Sequence, residues 1–127
     1  MVAVVNSNDD LVEVLKSTVE HEGFAVVTAH IRDFRLGHES FAAFLRTHKP
    51  SVVIYDIAIP YEENWAFLQT LRALPQAQQT DFVITTVNLR VLTARIGPNE
   101  AIELQGGHAD DLDPVVDAIR RLVRPSS

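Results

Sequence analysis

The sequence predicts an α/β domain built on a doubly wound, five-stranded parallel sheet. Three observations lead there. Five short apolar runs recur along the chain, stretches of helical period separate them, and the runs are continuously apolar, as strands covered on both faces must be. At 127 residues with 46% hydrophobic side chains, the chain can bury roughly two thirds of its unfolded surface without disulfide or metal staples. A single domain, 1–127, is expected, because no repeat, linker or low-complexity tract divides it.

The elements follow in order. The first run, Val2 to Val5, leads to Asn8, which stands before "DDLVEVL" as a helix N-cap with Asp9 and Asp10 in the first turn. Leu11, Val14, Leu15 and Thr18 mark that helix's inner face, and Gly23 closes it. The second run, Phe24 to Thr28, is followed by a helical segment carrying Phe41, Phe44 and Leu45. The third, Ser51 to Asp56, precedes a helix marked by Phe67, Leu68, Leu71 and Leu74. After the fourth, Asp81 to Thr86, "NLRVLTARIGPNE" leaves room for only about two turns before Gly97 and Pro98 stop it, so a short or irregular helix is expected. The fifth run, Ala101 to Leu104, is the weakest. Asp113 before Pro114 reads as the cap of the last helix, whose apolar face is Val115, Ile119, Leu122 and Val123 and which Pro125 closes.

Composition narrows the chemistry. There is no cysteine, so thiolate nucleophiles, disulfides and Cys-based zinc sites are excluded. Eleven basic against seventeen acidic residues leave a net charge of -6, which repels nucleic acid and anionic lipid. Arg120, Arg121 and Arg124 form the one basic concentration, and they suit the C-terminal end of a helix. No apolar run approaches the ~20 residues that span a bilayer, and the start lacks the pattern of a signal peptide, so a cytoplasmic protein is expected. His21, His30, His38, His48 and His108 show no metal-ligand spacing. His108 follows two glycines that could aim it at Asp56, against the simpler role of an exposed loop residue.

In open parallel sheets, sites form where strands end at their carboxyl edge. The first run ends in Asn6 and Ser7, the third in Asp56, the fourth in Thr85 and Thr86, the fifth in Gln105. In the flavodoxin-like order 2-1-3-4-5, strands one, three and four are neighbours, so Asn6, Asp56 and Thr86 are expected to share one shallow pocket. The plainer alternative is that polar residues mark where strands meet water.

At these residues the chain resembles the receiver domains of two-component response regulators. The resemblance rests on "VVIYDIAIP", an apolar strand ending in the family's phosphoacceptor aspartate with a proline four residues on. Asp56 and Pro60 hold those places. Length, five strand-helix units, "EHEGFAVVTA", "VITT" and the closing "DPVVDAIRRLV" extend it over the whole chain. It implies Thr86 at the family's hydroxyl position and Ala58, Val87 and Gln105 around the same pocket. It also implies a face formed by the fourth helix, fifth strand and last helix for protein partners or a second copy, here carrying Arg90, Arg95, Arg120 and Arg121 against Asp117.

The pattern is incomplete. The family holds Mg²⁺ with an acidic pair after the first strand, where Asn6 and Ser7 stand, and neutralises charge with a lysine after the fifth, yet the only lysines are Lys16 and Lys49. No aromatic residue follows Phe82, so the family's ring switch is missing too. Val87 stands where a small residue is usual, which should narrow access. Asp9 with Asp10, and Glu62 with Glu63, are the alternative metal ligands, though acids in a first helical turn already serve the helix dipole. Trp65 and Tyr61 are either a partner anchor or half-buried packing. No cofactor is expected, with Mg²⁺ bound weakly at most. With neighbouring acids removed, Asp56 should remain an ordinary ionised carboxylate at pH 7.

The expected function is therefore an atypical receiver, not an enzyme. It would bind a protein partner, a histidine kinase or a downstream regulator, with phosphorylation weak or lost. The alternative is a working phosphoacceptor taking a phosphoryl group on Asp56.

Overall fold

A computed structural model describes residues 1–37, 40–104 and 112–123. The strands are β1 (Val2–Asn6), β2 (Val26–His30), β3 (Val52–Asp56), β4 (Asp81–Thr86) and β5 (Ile102–Glu103). All pair in parallel, in the order β2-β1-β3-β4-β5. Among the described residues six α-helices connect or flank them: α1 (Asp9–His21), α2 (Ile31–Arg35), α3 (Phe41–His48), α4 (Tyr61–Arg72), α5 (Leu89–Ile96) and α6 (Asp113–Leu122).

The continuously apolar runs are explained by residue parity. Successive strand side chains point to opposite faces. Ala3, Val5, Val53, Tyr55 and Ile84 therefore join one core with Phe34 of α2, Phe41, Phe44 and Leu45 of α3, Leu68 of α4 and Leu92 of α5. Val2, Val4, Val52, Ile54 and Val83 join the other, beneath Leu15 and Val19 of α1 and Val115 and Ile119 of α6.

Local signals set most boundaries. Asn8 caps α1 by accepting from the Asp10 and Leu11 N–H groups at 3.0 and 3.2 Å. Gly97, at φ 89, ends α5 after eight residues, the two-turn helix its sequence allows. Two expectations are corrected. The cap residue of α6 is Leu112, and Asp113 lies inside the first turn, where its charge still meets the helix dipole. The β2-to-β3 connection holds two helices where one was expected: His30 Nδ1 accepts the Arg32 N–H at 3.1 Å and starts α2 directly at the end of β2. The fifth strand shrinks to two residues, which pair only with Thr85 and Thr86.

Candidate functional site

Asp56 ends β3 on the same face as Val52 and Ile54, and it is 5% exposed. Its register partner is Thr85, because β4 starts opposite Val52 with Asp81 and the pairing runs four residues further. The Thr85 hydroxyl donates to Asp56 Oδ1 at 2.8 Å. Burial pushes the Asp56 carboxyl up to about 6, and the Thr85 hydrogen bond opposes part of that rise. The expectation of an ordinary carboxylate is thus corrected: desolvation acts even where neighbouring acids are gone.

Thr86 is not the hydroxyl that meets Asp56. It follows Thr85 by one residue, so it falls on the opposite face with Ile84, and its hydroxyl donates to the Ile57 carbonyl at 3.0 Å. Val87 lies beyond the strand, 54% exposed, and does not line the cleft beside Asp56. Counted from the starts of the two apolar runs, Ser51 and Asp81, Asp56 would face Thr86; the observed register pairs Asp81 with Val52 and so selects Thr85.

Asn6 ends β1 with the parity of Val2 and Val4, on the Asp56 face, and is 1% exposed. Its Oδ1 accepts the Asn8 N–H at 2.9 Å, so the side chain helps turn the chain into α1. Ser7 is exposed and Ala58 half-buried, and both line the cleft. Gln105 and His108 lie outside the described residues.

The cleft has a volume of about 470 Å³. Asp56, Ser7 and Ala58 line it together with Tyr55, Ile59 and Asn64, and Ile31, Arg32 and Arg35 of α2 with Leu36 just after it form the other wall. Asn64 joins the walls: its amide nitrogen donates to the Ala58 carbonyl at 2.8 Å, and its oxygen accepts from Arg35 Nη1. The Arg35 guanidinium also sits 5.6 Å from the Phe67 ring centroid. Burial raises the Tyr55 phenol, with Arg35 opposing. Arg32, Arg35 and Asn64 escaped the sequence analysis. The signal for the two arginines is the spacing in "IRDFR", where Ile31 and Phe34 go inward and the arginines share the outer face.

The donor set does not fit Mg²⁺. A hard divalent cation needs several oxygen ligands, usually with more than one carboxylate. Here one carboxylate is available, one of its oxygens is taken by Thr85, and the Asn6 oxygen is committed to a backbone N–H. Among the described residues no three acids or histidines cluster for a metal. Asp9 and Asp10 are exposed in the first turn of α1, and Glu62 and Glu63 are exposed in that of α4, where Glu62 meets Arg95 at 3.5 Å. Trp65 is half-buried against the core, the packing alternative, and Tyr61 is buried.

The chain is similar over almost its full length to solved CheY-like proteins. The Vibrio cholerae chemotaxis protein CheY4 matches with a TM-score of 0.66 at 17% identity, over 96% of this chain and 97% of that one. The fold is that of a response-regulator receiver domain. A CheY-like receiver domain from Methylobacillus flagellatus matches this receiver fold with a TM-score of 0.60 at 20% identity, over 93% and 96% of the two chains. The bacteriophytochrome response regulator RtBRR gives 0.61 at 18%, covering 99% of this chain and 79% of its own. No family model and no curated protein matches the sequence. In the receiver fold, Asp56, Thr85 and Asn6 occupy the carboxyl edge of the three central strands.

Proposed function

We propose that the chain, acting as one receiver-like unit, is a cytoplasmic signalling module of two-component signal transduction that works by protein contact and not as an enzyme. Phosphoryl transfer to Asp56 is weak or lost. The observation that carries this reading is the state of the site: Asp56 is a buried carboxylate held by a neutral hydroxyl, with the amide of Asn6 already used by the backbone. Phosphoryl transfer relies on neutralising charge as it develops, and removing one such positioned donor commonly slows a reaction ~100-fold or more.

The partner is a histidine kinase or a downstream regulator, or a second copy of this chain. What supports the contact face at α5, β5 and α6 is the brevity of β5. It matches only the last two residues of β4, so Phe82, Val83 and Ile84 line a groove with Ala118, Arg121 and Leu122, and Leu122 is 40% exposed.

The test is incubation with acetyl phosphate and Mg²⁺ followed by intact-mass measurement, beside an Asp56→Asn control. Little or no added phosphoryl group is expected. Rapid, stoichiometric, Asp56-dependent phosphorylation would establish the alternative, a working phosphoacceptor.

A further inference from the structure

We propose that the cleft between α2 and the turn from β3 into α4 is a binding site for a small organic monoanion with an apolar body, of which a short-chain carboxylate is the simplest. The proposal does not depend on whether Asp56 accepts a phosphoryl group.

The size of the cleft, about 470 Å³, falls within the range of small-molecule sites. Charge selects the ligand. Two arginines, Arg32 and Arg35, line the cleft with one carboxylate, Asp56, leaving one positive charge that a monoanion neutralises. A dianion such as phosphate would add a second negative charge beside Asp56. Arg35 is already positioned by Asn64 and by the Phe67 ring, so little side-chain freedom is lost when its remaining N–H groups meet a carboxylate. Among the described residues, Arg32 has no ion-pair partner.

The apolar half of the ligand has its own surface. Leu36 and Ile59 stand 62% and 78% exposed on opposite rims, while Ile31 is buried below. Apolar side chains this exposed around a concave site gain by covering a hydrocarbon tail. Arg32 and Leu36 are four residues apart, so they present head and tail contacts from one side of α2 and the chain beyond it.

The experiment is an amide chemical-shift titration of the full chain with sodium hexanoate, 1-hexanol and inorganic phosphate in parallel. Hexanoate should give saturable shifts centred on Ser7, Leu36, Ala58 and Ile59, with a Kd of about 1 mM or tighter. Hexanol and phosphate should each bind at least about tenfold more weakly, since one lacks the charge and the other the tail. Arg32→Gln should weaken hexanoate about tenfold and Arg32→Lys less, with the thermal midpoint unchanged because the side chain is exposed. Leu36→Gln should weaken hexanoate while leaving phosphate unaffected. Absence of saturable shifts at the cleft, hexanol binding as well as hexanoate, phosphate binding more tightly than hexanoate, or indifference to Arg32→Gln would each overturn the proposal.

Discussion

Thr85 donates its hydroxyl proton to the buried carboxylate of Asp56 at 2.8 Å, across the β3 and β4 ladder in which the two residues are direct register partners. The neighbouring Thr86 serves Ile57 on the other face of the sheet. Two adjacent threonines thus do different work, and the difference is measurable. Thr85→Val should raise the Asp56 pKa above about 6 and cost ~1 to 3 kcal/mol of stability, because a buried acceptor loses its donor. Thr86→Val should leave the Asp56 titration in place. Carbon-detected NMR titration of the carboxyl group in both variants checks the pair.

Stability should fall as pH rises through the Asp56 pKa. The folded carboxyl titrates at about 6, above its ordinary value of 3.8, so the folded state holds the proton more tightly than the unfolded chain. The Asp56 contribution is therefore fully present below about pH 4 and is lost as pH approaches and passes about 6. Asp56→Asn, which keeps an acceptor for Thr85, should stabilise the protein at pH 7 by up to ~3 kcal/mol and have little effect near pH 3. Thermal or urea unfolding of both proteins across that range decides it. A wild-type protein whose carboxyl-linked stability increases between pH 4 and 7 relative to Asp56→Asn contradicts the assignment.

Restoring acids beside β1 should create a cation site and carry a cost in its absence. Asn6→Asp with Ser7→Asp would place two further carboxylates next to Asp56, raising divalent-cation affinity while making the metal-free protein less stable. The Asn6 side chain is 1% exposed, so the added charge is itself buried. Calorimetric titration with Mg²⁺ should show binding in N6D/S7D and little in the parent. Added Mg²⁺ should raise the thermal midpoint of the double variant alone.

The face at α5, β5 and α6 should respond to a charge reversal. Arg121 lines the groove left by the short β5, whereas Arg120 is already engaged by Glu22, the cap residue just after α1, and lies 4.0 Å from Asp117. Arg121→Glu should weaken self-association or capture of a partner by about tenfold or less, since rim charges contribute ~0 to 1 kcal/mol each. Sedimentation of both proteins at high concentration reads the dimer directly. A concentration-independent monomer in which Arg121→Glu also leaves partner binding intact would remove this face from the model of function.

Much of the fold was legible in the chain because local signals and long-range burial agreed. Continuous apolar runs required a sheet covered on both faces, Asn8 and Gly97 marked helix ends through local hydrogen bonding and backbone freedom, and "VVIYD" put a carboxylate at a strand end. The missing acids after β1 and the missing lysines beyond Lys49 were also visible without coordinates. What only the tertiary structure decided was which side chains face one another. Choosing Thr85 over Thr86 requires the register of two strands separated by the whole of α4, and a one-residue shift exchanges the faces. The rise of the Asp56 pKa requires knowing how much water its neighbours exclude, which depends on the assembled core. The arginine wall needed α2 to start at the very end of β2, where His30 caps it, and to meet Asn64, 29 residues from Arg35 along the chain. Periodicity reports what each segment buries; the contacts between segments belong to the folded chain.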